Sequence, residues 1–507
     1  MDNSKSDMKH AQYLMGIDNG GSNIKCAIFD TQGEEIAAAS TAVSISQPCP
    51  GFVERDPEAV WLRNCDVIAQ ALHTSGLRPD QISAISLCGY GGGLCLLDEQ
   101  GCCVYPIIAS ADVRSSPQAA QLNGTPEADR IFSITHQRPW WGQPAALLRW
   151  FLENCPQILD RAYYALSIKD YIRSRLTQEY ALELTDASNN GLVDPTSRTI
   201  SGDILRLSGL EDLHHLFSHP VLAPTDFAGK VTRQAAEATG LVPGTPVIAG
   251  SYDVSACTIG CGALSSDCLS LANGTWTMAS YLDTRFSHAD PGTLVTVSAL
   301  RGYYLLEQGS ATGTANLNWY LDRFLSPIYP NYSRQQLYEL CSQTIGSIRD
   351  DILFVPHLYT SCTDAVKGAF FGLASHHNEL DLLYAVMEGV LLSAQRHIQR
   401  LEHGRGPWKD IRMSGGVSSS RPWSQLLCDM LQTPISIMSG SEQGARGAAM
   451  YAGVAVGIFN NLYQAACEMC RPAVTLEPRI QYAEIYQRKI RRYQCALDAL
   501  DQFHQLS

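Results

Sequence analysis

The sequence predicts an α/β protein of two domains with a cleft between them, and two glycine turns carry this prediction. Near the start, an apolar run at residues 13–18 meets an Asn-Gly-Gly turn, and a strand resumes over 24–30. The same order returns where an apolar run at 268–272 meets Asn-Gly-Thr and another strand follows. A strand, a glycine turn and a strand in each half indicate a duplicated domain, although so loose a similarity does not prove duplication by itself.

The first half continues as strands and helices in alternation. A third strand is expected over residues 36–45. Asp56, Pro57 and Glu58 then supply an N-cap, a first-turn proline and a first-turn acid, and apolar residues follow at helical spacing. Another strand, residues 82–88, ends in a glycine-rich cluster. This order predicts a β-meander, a helix and a further strand at the start of the first domain.

The second half opens near residue 246 with an apolar strand that is followed by Ser-Tyr-Asp at 251–253. Helices are predicted farther along from the spacing of apolar residues. They lie near residues 379–402 and 421–432, at 443–458, where small side chains suit close helix packing, and from about 478 to the end.

Composition excludes several classes of protein. Of the 507 residues, 45% are hydrophobic and 17% are charged, so the chain can bury a sizeable core and is neither disordered nor fibrous. The formal net charge of −13 disfavours generic binding to nucleic acid or anionic membranes. The polar N-terminus and the lack of a long apolar stretch predict a cytoplasmic protein without a signal peptide or a membrane span.

Seventeen cysteines are expected to be reduced thiols in such a compartment. Cys257 with Cys261, and Cys467 with Cys470, come close to metal-ligand spacing, but neither pair has a second pair or a histidine cluster nearby in sequence. We therefore interpret them as small buried hydrophobic residues.

The turn after the first strand has the composition of a phosphate site. Its glycines let a backbone approach a phosphate, Ser22 and Asn23 add side-chain donors, and Lys25 adds a compact positive charge. Asp18, at the end of the strand, could hold Mg²⁺ through water. An ordinary hairpin is the alternative for this turn and for the second one, but a similar turn in each half favours phosphate binding. Neither turn is a Walker loop.

Asp253 follows the apolar strand that opens the second half. A carboxylate there could accept the proton of an attacking hydroxyl, and phosphoryl transfer otherwise needs mainly in-line positioning and charge neutralisation. The alternative is that Asp253 only caps a helix that begins near Val254. Spacing alone does not decide between these roles.

Five segments together resemble the FGGY family of carbohydrate kinases over about residues 12–480. In chain order they are GIDNGGSNIKCAIFD, GFVERDPEAVW, IAGSYDVSACTIGCGAL, LANGTWTMAS, and SGGVSSSRPWSQLLCDMLQTPI with EQGARGAAMYAG. They are similar, in turn, to the first phosphate motif, the helix start after it, the catalytic-aspartate segment, the second phosphate motif, and the adenosine motif with its helix. Within the family, the sequence looks nearest to L-xylulose (lyxose-pathway) kinases, with erythritol-type kinases close.

The resemblance implies two actin-like ATPase (ribonuclease H-like) domains, over residues 12–245 and 246–480, and a helical tail over 481–507. It implies that ATP, with Mg²⁺, donates its γ-phosphate to a hydroxyl of a small sugar or polyol bound in the cleft between the domains. The expected substrate is a ketopentose such as L-xylulose or a short polyol such as erythritol. A homodimer is left open, and no nucleic-acid or membrane partner is expected.

The resemblance also assigns roles to the residues that match the motifs. Asp253 corresponds to the general base, and Asp18 to the acid that organises Mg²⁺. The nucleotide-binding residues are Gly21, Ser22, Asn23 and Lys25 in the first turn, Gly274 and Thr275 in the second, Gly313 and Asn318 in a further loop, and Gly415, Gly416 and Ser420 in the adenosine loop.

The sugar contacts implied by the family fall on three segments. They are Tyr90, Gly91 and Gly92 after the strand at 82–88, Asp112 in an Asp-x-Arg segment, and Asp253. Asp112 could accept hydrogen bonds from two vicinal hydroxyls, and a simple pair with Arg114 is the alternative. Xylulose kinases usually have glutamine in place of Tyr90 and bulky or polar side chains in place of the two glycines. The pocket could therefore be wider or differently hydrogen-bonded than in these relatives.

Two other departures from the family keep a second class of function open. Trp276 replaces the usual serine of the second phosphate motif, and Ser419 replaces the usual lysine or arginine of the adenosine loop. Such changes would suit a non-kinase actin-like protein in which nucleotide gates a binding or regulatory activity. Because Asp18 and Asp253 are both present, the sequence favours the kinase.

Overall fold

The structure is a computed structural model that describes residues 12–345, 351–359 and 366–505. The polar N-terminal residues 1–11 and one of the seventeen cysteines, Cys362, lie outside the described residues. The chain divides into two compact units, and both are discontinuous in sequence. Unit 1 comprises residues 1–262, 295–305 and 442–470, and unit 2 comprises 263–294, 306–441 and 471–507.

The chain up to residue 262 alternates strands and helices. Its strands are β1 (Tyr13–Asn19), β2 (Asn23–Asp30), β3 (Glu35–Ala42), β4 (Glu54–Arg55), β5 (Ile82–Gly89), β6 (Cys95–Leu97), β7 (Ile107–Ile108), β8 (Tyr164–Leu166), β9 (Leu182–Glu183), β10 (Val193–Asp194), β11 (Thr199–Ile200), β12 (Val221–Leu222), β13 (Phe227–Lys230) and β14 (Pro246–Tyr252). Its helices are α1 (Pro57–Ser75), α2 (Ser116–Asn123), α3 (Pro126–Thr135), α4 (Pro144–Asn154), α5 (Pro156–Leu159), α6 (Ile168–Thr177), α7 (Leu184–Asn189), α8 (Gly202–Leu207), α9 (Arg233–Thr239) and α10 (Asp253–Gly260).

The rest of the chain repeats this alternation. Its strands are β15 (Cys268–Asn273), β16 (Thr277–Asp283), β17 (Leu294–Val297), β18 (Tyr304–Ser310), β19 (Leu353–Val355), β20 (Ala369–Phe371), β21 (Asp410–Ser414), β22 (Ile435–Met438) and β23 (Pro472–Leu476). Its helices are α11 (Thr314–Tyr320), α12 (Ser326–Ile328), α13 (Arg334–Thr344), α14 (Glu379–Leu401), α15 (Arg421–Leu431), α16 (Gln443–Ala455), α17 (Leu462–Met469) and α18 (Ala483–Gln505). None of the described helices is both long and apolar enough to cross a membrane.

Six strands of unit 1 form one sheet in the order β13-β14-β5-β1-β2-β3. β1 is antiparallel to β2 and parallel to β5, β14 is parallel to β5, and β13 is antiparallel to β14. Buried side chains such as Ile17, Ile85 and Val247 form the core around these strands. Because β1, β5 and β14 run in the same direction, their carboxyl ends share one edge of the sheet, the place where α/β sheets bind ligands.

The second sheet has the order β17-β18-β16-β15-β21-β22-β23. β15 is antiparallel to β16 and parallel to β21, β22 is parallel to β21, and β23 is antiparallel to β22. With β15 for β1, β16 for β2, β21 for β5, β22 for β14 and β23 for β13, the order and the directions match those of the first sheet. The duplication indicated by the two glycine turns is therefore present in the sheet topology.

Most predicted elements are present within one or two residues of their expected ends. Helix α1 begins as predicted, since Pro57 is its first residue and the Asp56 side chain accepts a hydrogen bond of 2.7 Å from the Ala59 N–H. The third strand is shorter than expected, because β3 ends at Ala42. Strand β14, which opens the predicted C-terminal domain, pairs with β5 in unit 1. The compact units thus differ from the continuous domains predicted over 12–245 and 246–480.

Helix α16 covers most of the segment of small residues at 443–458. Its backbone contacts the backbones of β1 and α10 within unit 1. A Cβ at Gly16 would overlap the carbonyl oxygen of Ala445, and one at Gly447 would overlap that of Ala256. Glycine lets these backbones approach more closely than any other residue would. The contact brings the first turn of α16 to the end of β1, where a Cβ at Gly444 would lie 3.0 Å from Asp18 Oδ2.

The cysteines of the described ranges are free thiols. Cys26, Cys88 and Cys261 are buried, as the sequence predicted for packing residues, whereas Cys257 is half-buried and Cys467 is exposed. Burial raises the pKa of the Cys26 thiol well above its ordinary value, which keeps it protonated and unreactive.

We expect Gly16→Ala to destabilise the protein, because the added methyl group meets the backbone of α16 rather than a flexible side chain. Overpacking of this kind lowers the free energy of unfolding by about 1–3 kcal/mol or more. The control is Gly202→Ala in the first turn of α8, where a Cβ meets nothing within 4 Å. Urea unfolding measures both variants, and equal midpoints would contradict the backbone contact.

Candidate active site

Unit 1 brings several of the predicted site residues to the shared carboxyl edge of β1, β5 and β14. Asp18 lies opposite Cys88 in the neighbouring parallel strand, and Cys88 lies opposite Ser251 in the next one. Asp253 begins α10 two residues beyond Ser251. Burial, followed by the charges of Asp18 and Asp253, raises the pKa of Cys88 well above its ordinary value. Both carboxylates therefore lie close enough to act on one thiol.

Asp253 is the first residue of α10, and its side chain is half-buried. Its Oδ1 accepts a hydrogen bond of 2.7 Å from the Val254 N–H. The residue at the N-cap position is Tyr252, so Asp253 stands inside the first turn rather than in front of it. A carboxylate in the first turn is stabilised in its charged form by the helix dipole. This position favours the charged form of the carboxylate, which is the form that can accept a proton.

Asp18 is half-buried at the end of β1, and its Oδ1 is buried without a hydrogen-bond partner among the described residues. Burial raises the pKa of Asp18 to about 6, the charge of Lys25 lowers it, and the charge of Glu442 raises it. A buried carboxylate oxygen without a donor needs a cation or a water to compensate it. The geometry around Asp18 fits a hydrated divalent cation, because such ions bind through one or two carboxylates and water.

The compact positive charge that the sequence predicted beside the first turn, Lys25, is paired with an acid in the structure. Its Nζ forms an ion pair of 2.8 Å with Oε2 of Glu442. Burial alone would lower the pKa of Lys25, but the attraction of Glu442 outweighs it and raises the pKa. Sequence reasoning missed Glu442 because its segment resembles the helix of the adenosine motif in the other half of the chain.

The first turn itself leaves room for a ligand. Gly21, Ser22 and Asn23 are exposed. A Cβ at Gly21 would meet nothing within 4 Å, and the φ of Gly21 is not positive. Neither packing nor backbone conformation requires glycine at this position, whereas close approach of a phosphate to the backbone would.

The loop after β5 is filled by other parts of unit 1. A Cβ at Gly91 would overlap the amide of Asn189, and one at Gly92, whose φ is 80°, would lie 2.8 Å from Cη2 of Trp140. The Gly92 N–H donates to Oδ1 of Asn190 at 3.0 Å. The two glycines therefore do not widen a pocket, because Asn189 and Trp140 occupy the space that larger side chains would take. Tyr90 is 5% exposed, and its hydroxyl has no partner within the described ranges.

Asp112 is completely buried, and its carboxylate is used by the protein. It accepts hydrogen bonds from the Val53 N–H at 2.6 Å and from Nε and Nη2 of Arg114 at 2.9 and 2.8 Å. Nη2 of Arg114 also donates a hydrogen bond to Oε1 of Glu54 at 2.7 Å. This geometry matches the alternative reading, an Asp–Arg pair, and it leaves the carboxylate of Asp112 inaccessible to a sugar in this conformation.

A cluster of buried charged residues next to the loop after β5 contains none of the predicted site residues. Nζ of Lys169 lies 2.6 Å from Asp170, 3.6 Å from Glu183 and 3.7 Å from Asp186. Burial raises the pKa of Asp186 to about 7 despite the attraction of Lys169. Asp186 accepts a hydrogen bond from Nδ2 of Asn190, the residue that holds Gly92. Two acids of this cluster, Glu183 and Asp186, lie in a polar run at 183–190, which matched no motif in the sequence.

Unit 2 assembles the remaining predicted segments. The Thr314 N–H donates to the Gly274 carbonyl at 2.7 Å, and a Cβ at Gly313 would overlap that same oxygen. Gly415 has a φ of 88°, and a Cβ there would lie 2.7 Å from the carbonyl oxygen of Asn273. The second turn, the Gly313 loop and the adenosine loop are therefore in direct backbone contact. Gly274 faces open space, since a Cβ there would meet nothing within 4 Å.

The other predicted residues of unit 2 surround these loops. Oδ1 of Asn318 accepts hydrogen bonds from Arg334 at 2.7 Å and from the Tyr338 hydroxyl at 3.1 Å, so it anchors α13. Ser420 is the N-cap residue of α15. Thr275 is exposed, and Trp276 beside it is 48% exposed. A Cβ at Gly416 would lie 3.3 Å from the methyl group of Thr314, which places Gly416 in the same group of loops.

A solved structure shares this fold. The xylulose kinase from Rhodospirillum rubrum matches with a TM-score of 0.84 at 23% identity, covering 97% of this chain and 100% of that one. At this identity the similarity shows the fold alone. Together with the duplicated sheets, it confirms the two-domain actin-like fold that the motifs implied.

The family is shown by the sequence comparisons. The chain is 29% identical over 500 residues to the L-xylulose/3-keto-L-gulonate kinase of Escherichia coli strain K12, covering 97% of this chain and 98% of that protein. It is 30% identical over 490 residues to the probable L-xylulose kinase of Pasteurella multocida strain Pm70, covering 96% and 99%. Residues 13–260 match the N-terminal domain of the FGGY family of carbohydrate kinases, and residues 269–456 match the C-terminal domain. The chain therefore belongs to the FGGY family of carbohydrate kinases, enzymes that phosphorylate sugars with ATP.

Proposed function

We propose that this sugar kinase transfers the γ-phosphate of ATP to a hydroxyl of a ketopentose, with L-xylulose as the first candidate. The observation that carries the proposal is the placement of Asp253 and Asp18 at one carboxyl edge of unit 1. The substrate class is supported by the two relatives, which are named as L-xylulose kinases. The name of the first adds a sugar acid, 3-keto-L-gulonate, to the candidates.

In the proposed reaction Asp253 is the general base. The oxygen of the sugar hydroxyl forms a bond to the γ-phosphorus, the bond between that phosphorus and the bridging oxygen of ADP breaks, and the hydroxyl proton moves to the Asp253 carboxylate. The Val254 N–H, 2.7 Å from Oδ1, holds the carboxylate in position and favours its charged form before the transfer.

We propose Asp18 as the residue that holds Mg²⁺. Its carboxylate is a hard oxygen donor, and its buried Oδ1 has no donor from any described residue. When bound, the ion would neutralise charge on the phosphates of ATP. The ion pair of Lys25 with Glu442 limits how much positive charge Lys25 itself offers to the first turn.

We further propose that the three loops of unit 2 bind the nucleotide mainly through their backbone. Gly274 leaves the backbone of the second turn open to a group that lies on it, Gly415 lets the adenosine loop contact that turn, and the Thr314 N–H fixes the Gly274 carbonyl. Trp276 and Ser419 remove side-chain polar groups that relatives usually have, but they leave the peptide groups of these loops in place.

Replacement of the proposed base gives the sharpest test. We expect Asp253→Asn to lower kcat by about 10²–10⁴, because the amide cannot accept the hydroxyl proton. Affinity for ADP should stay close to that of the unmodified enzyme. The matched control is Asp66→Asn, an exposed acid of α1 that lies 3.6 Å from Arg63. Full turnover by folded Asp253→Asn would show that the base is another group.

A substrate panel tests the sugar class. We expect the highest kcat/KM for a ketopentose in an ADP-release assay that also includes 3-keto-L-gulonate, erythritol, glycerol and a hexulose. Mass spectrometry of the product identifies the phosphorylated sugar. If a sugar acid is the best substrate, the proposed substrate class changes from ketopentose to sugar acid. Nucleotide binding without any phosphorylated product would support the regulatory alternative.

Asp112→Asn separates the two roles considered for this residue. If Asp112 serves only the pair with Arg114, the variant loses about 3 kcal/mol of unfolding free energy and keeps the sugar KM of the unmodified enzyme. Urea unfolding and sugar saturation curves measure the two quantities. A raised sugar KM at unchanged stability would restore Asp112 as a substrate contact.

A further inference from the structure

Arg55, in the short strand β4, is a buried cation without an acidic partner among the described residues. Arg55 is only 2% exposed. Nη2 donates to the carbonyl oxygen of Gly21 at 2.8 Å, while Nε and Nη1 are buried and bond no described residue. The neighbouring acid, Glu54, forms an ion pair with Arg114 instead, at 2.7 Å. Arg55 therefore carries a charge that the described protein does not neutralise.

Three other buried cations of unit 1 are paired with acids. Lys169 and Arg173 each lie 2.6 Å from Asp170, and Arg114 lies between Glu54 and Asp112. A charge buried without a counterion is costly, so such groups are rare unless a ligand completes them. This contrast makes Arg55 a candidate for a role with an anionic ligand.

Arg55 lies behind two loops of the candidate active site. It reaches Gly21 in the first phosphate turn, and its guanidinium carbon lies 4.7 Å from the ring centroid of Tyr90 in the loop after β5. Burial raises the pKa of Tyr90 to about 12, although Arg55 lowers it in part. The phenol is therefore neutral at physiological pH and does not supply a negative charge to Arg55.

The hydrogen bond to Gly21 also orients the turn. In a trans peptide, the carbonyl and the following N–H point in opposite directions. Because Arg55 holds the Gly21 carbonyl inward, the Ser22 N–H points away from Arg55. The next carbonyl, that of Ser22, is held by the Val43 N–H at 3.0 Å. Two successive peptide groups of an exposed turn are thus fixed, with open space beside Gly21.

We propose that Arg55 is a positioning residue for the phosphates of ATP. It fixes the first turn so that the Ser22 N–H faces the phosphate, and its buried charge attracts that phosphate from behind the turn. The phosphate in turn compensates the guanidinium. This inference rests on the proposed function of the first turn, and it assigns to Arg55 a role that no motif residue has.

Binding of ADP and of adenosine separates this role from a structural one. In calorimetry, we expect Arg55→Gln to weaken ADP binding about tenfold or more, the size expected for the loss of one nearby charge. Adenosine binding should not change, because adenosine carries no phosphate. Arg55→Lys should restore part of the affinity for ADP, since it keeps the charge but not the planar fork.

The matched control is Arg175→Gln. Arg175 also stacks on an aromatic ring, at 4.9 Å from the centroid of Trp61, but it pairs with Glu58 at 2.9 Å and bonds neither loop. We expect this variant to bind ADP and adenosine as the unmodified enzyme does. Its unfolding midpoint shows what the loss of a stacked arginine alone does to stability.

Three results from the Arg55 variants would overturn the proposal. Unchanged ADP affinity in Arg55→Gln would show that the charge does not reach the phosphates, and equal weakening of ADP and adenosine would indicate a structural role. A raised sugar KM with unchanged ADP affinity in Arg55→Gln would indicate that Arg55 acts through the Tyr90 loop and not through the phosphates. If Arg55→Gln does not fold, Arg55→Lys decides by the same comparison. If the unmodified enzyme phosphorylates a sugar, the proposed function stands whatever the Arg55 variants do. If the unmodified enzyme does not bind ADP at all, both the proposed function and the role of Arg55 are wrong.

Discussion

The backbone contact between Gly16 and Ala445 is the constraint on which the site of unit 1 depends. It allows α16, which follows more than 400 residues after β1, to lie directly on that strand. The helix start then lies at the end of β1, with Gly444 against Asp18 and Glu442 paired with Lys25. A larger residue at position 16 would move this helix, and the charges around Asp18 would move with it.

Under the proposed function, the charges of unit 1 account for how an acidic chain binds an anionic nucleotide. The net charge of −13 belongs to the whole chain, whereas the proposed site depends on a few charged groups near one sheet edge. Arg55 is unneutralised by the described protein, Asp18 has an unsatisfied oxygen, and Lys25 is tied to Glu442. Fixed local dipoles and charges act at short range, so they decide binding even where the long-range field is unfavourable.

The sequence predicted what depends on local pattern and missed what depends on distant contacts. Apolar periodicity and Asn-Gly turns located β1, β5, β14 and β15, and capping residues located the start of α1, because these signals lie within a few residues. Glu442 and the partners of Arg55 could not be found this way, since they come together only when separate segments fold. The glycines of the Tyr90 loop show the same limit: a missing side chain suggested a wider pocket, and Asn189 and Trp140 fill it.

The duplicated sheets carry turns of different chemistry. Asn19 and Asn273 end equivalent strands, and both are fully buried, yet the groups around the two turns differ. The first turn has Asp18 before it and Arg55 behind it, whereas the second is held by neutral backbone contacts from Thr314 and Gly415. A turn that works through its backbone does not depend on one side chain. Under the proposed function, the second turn acts in this way, so Trp276 can stand where the family usually has serine, while Asp18 is needed before the first turn.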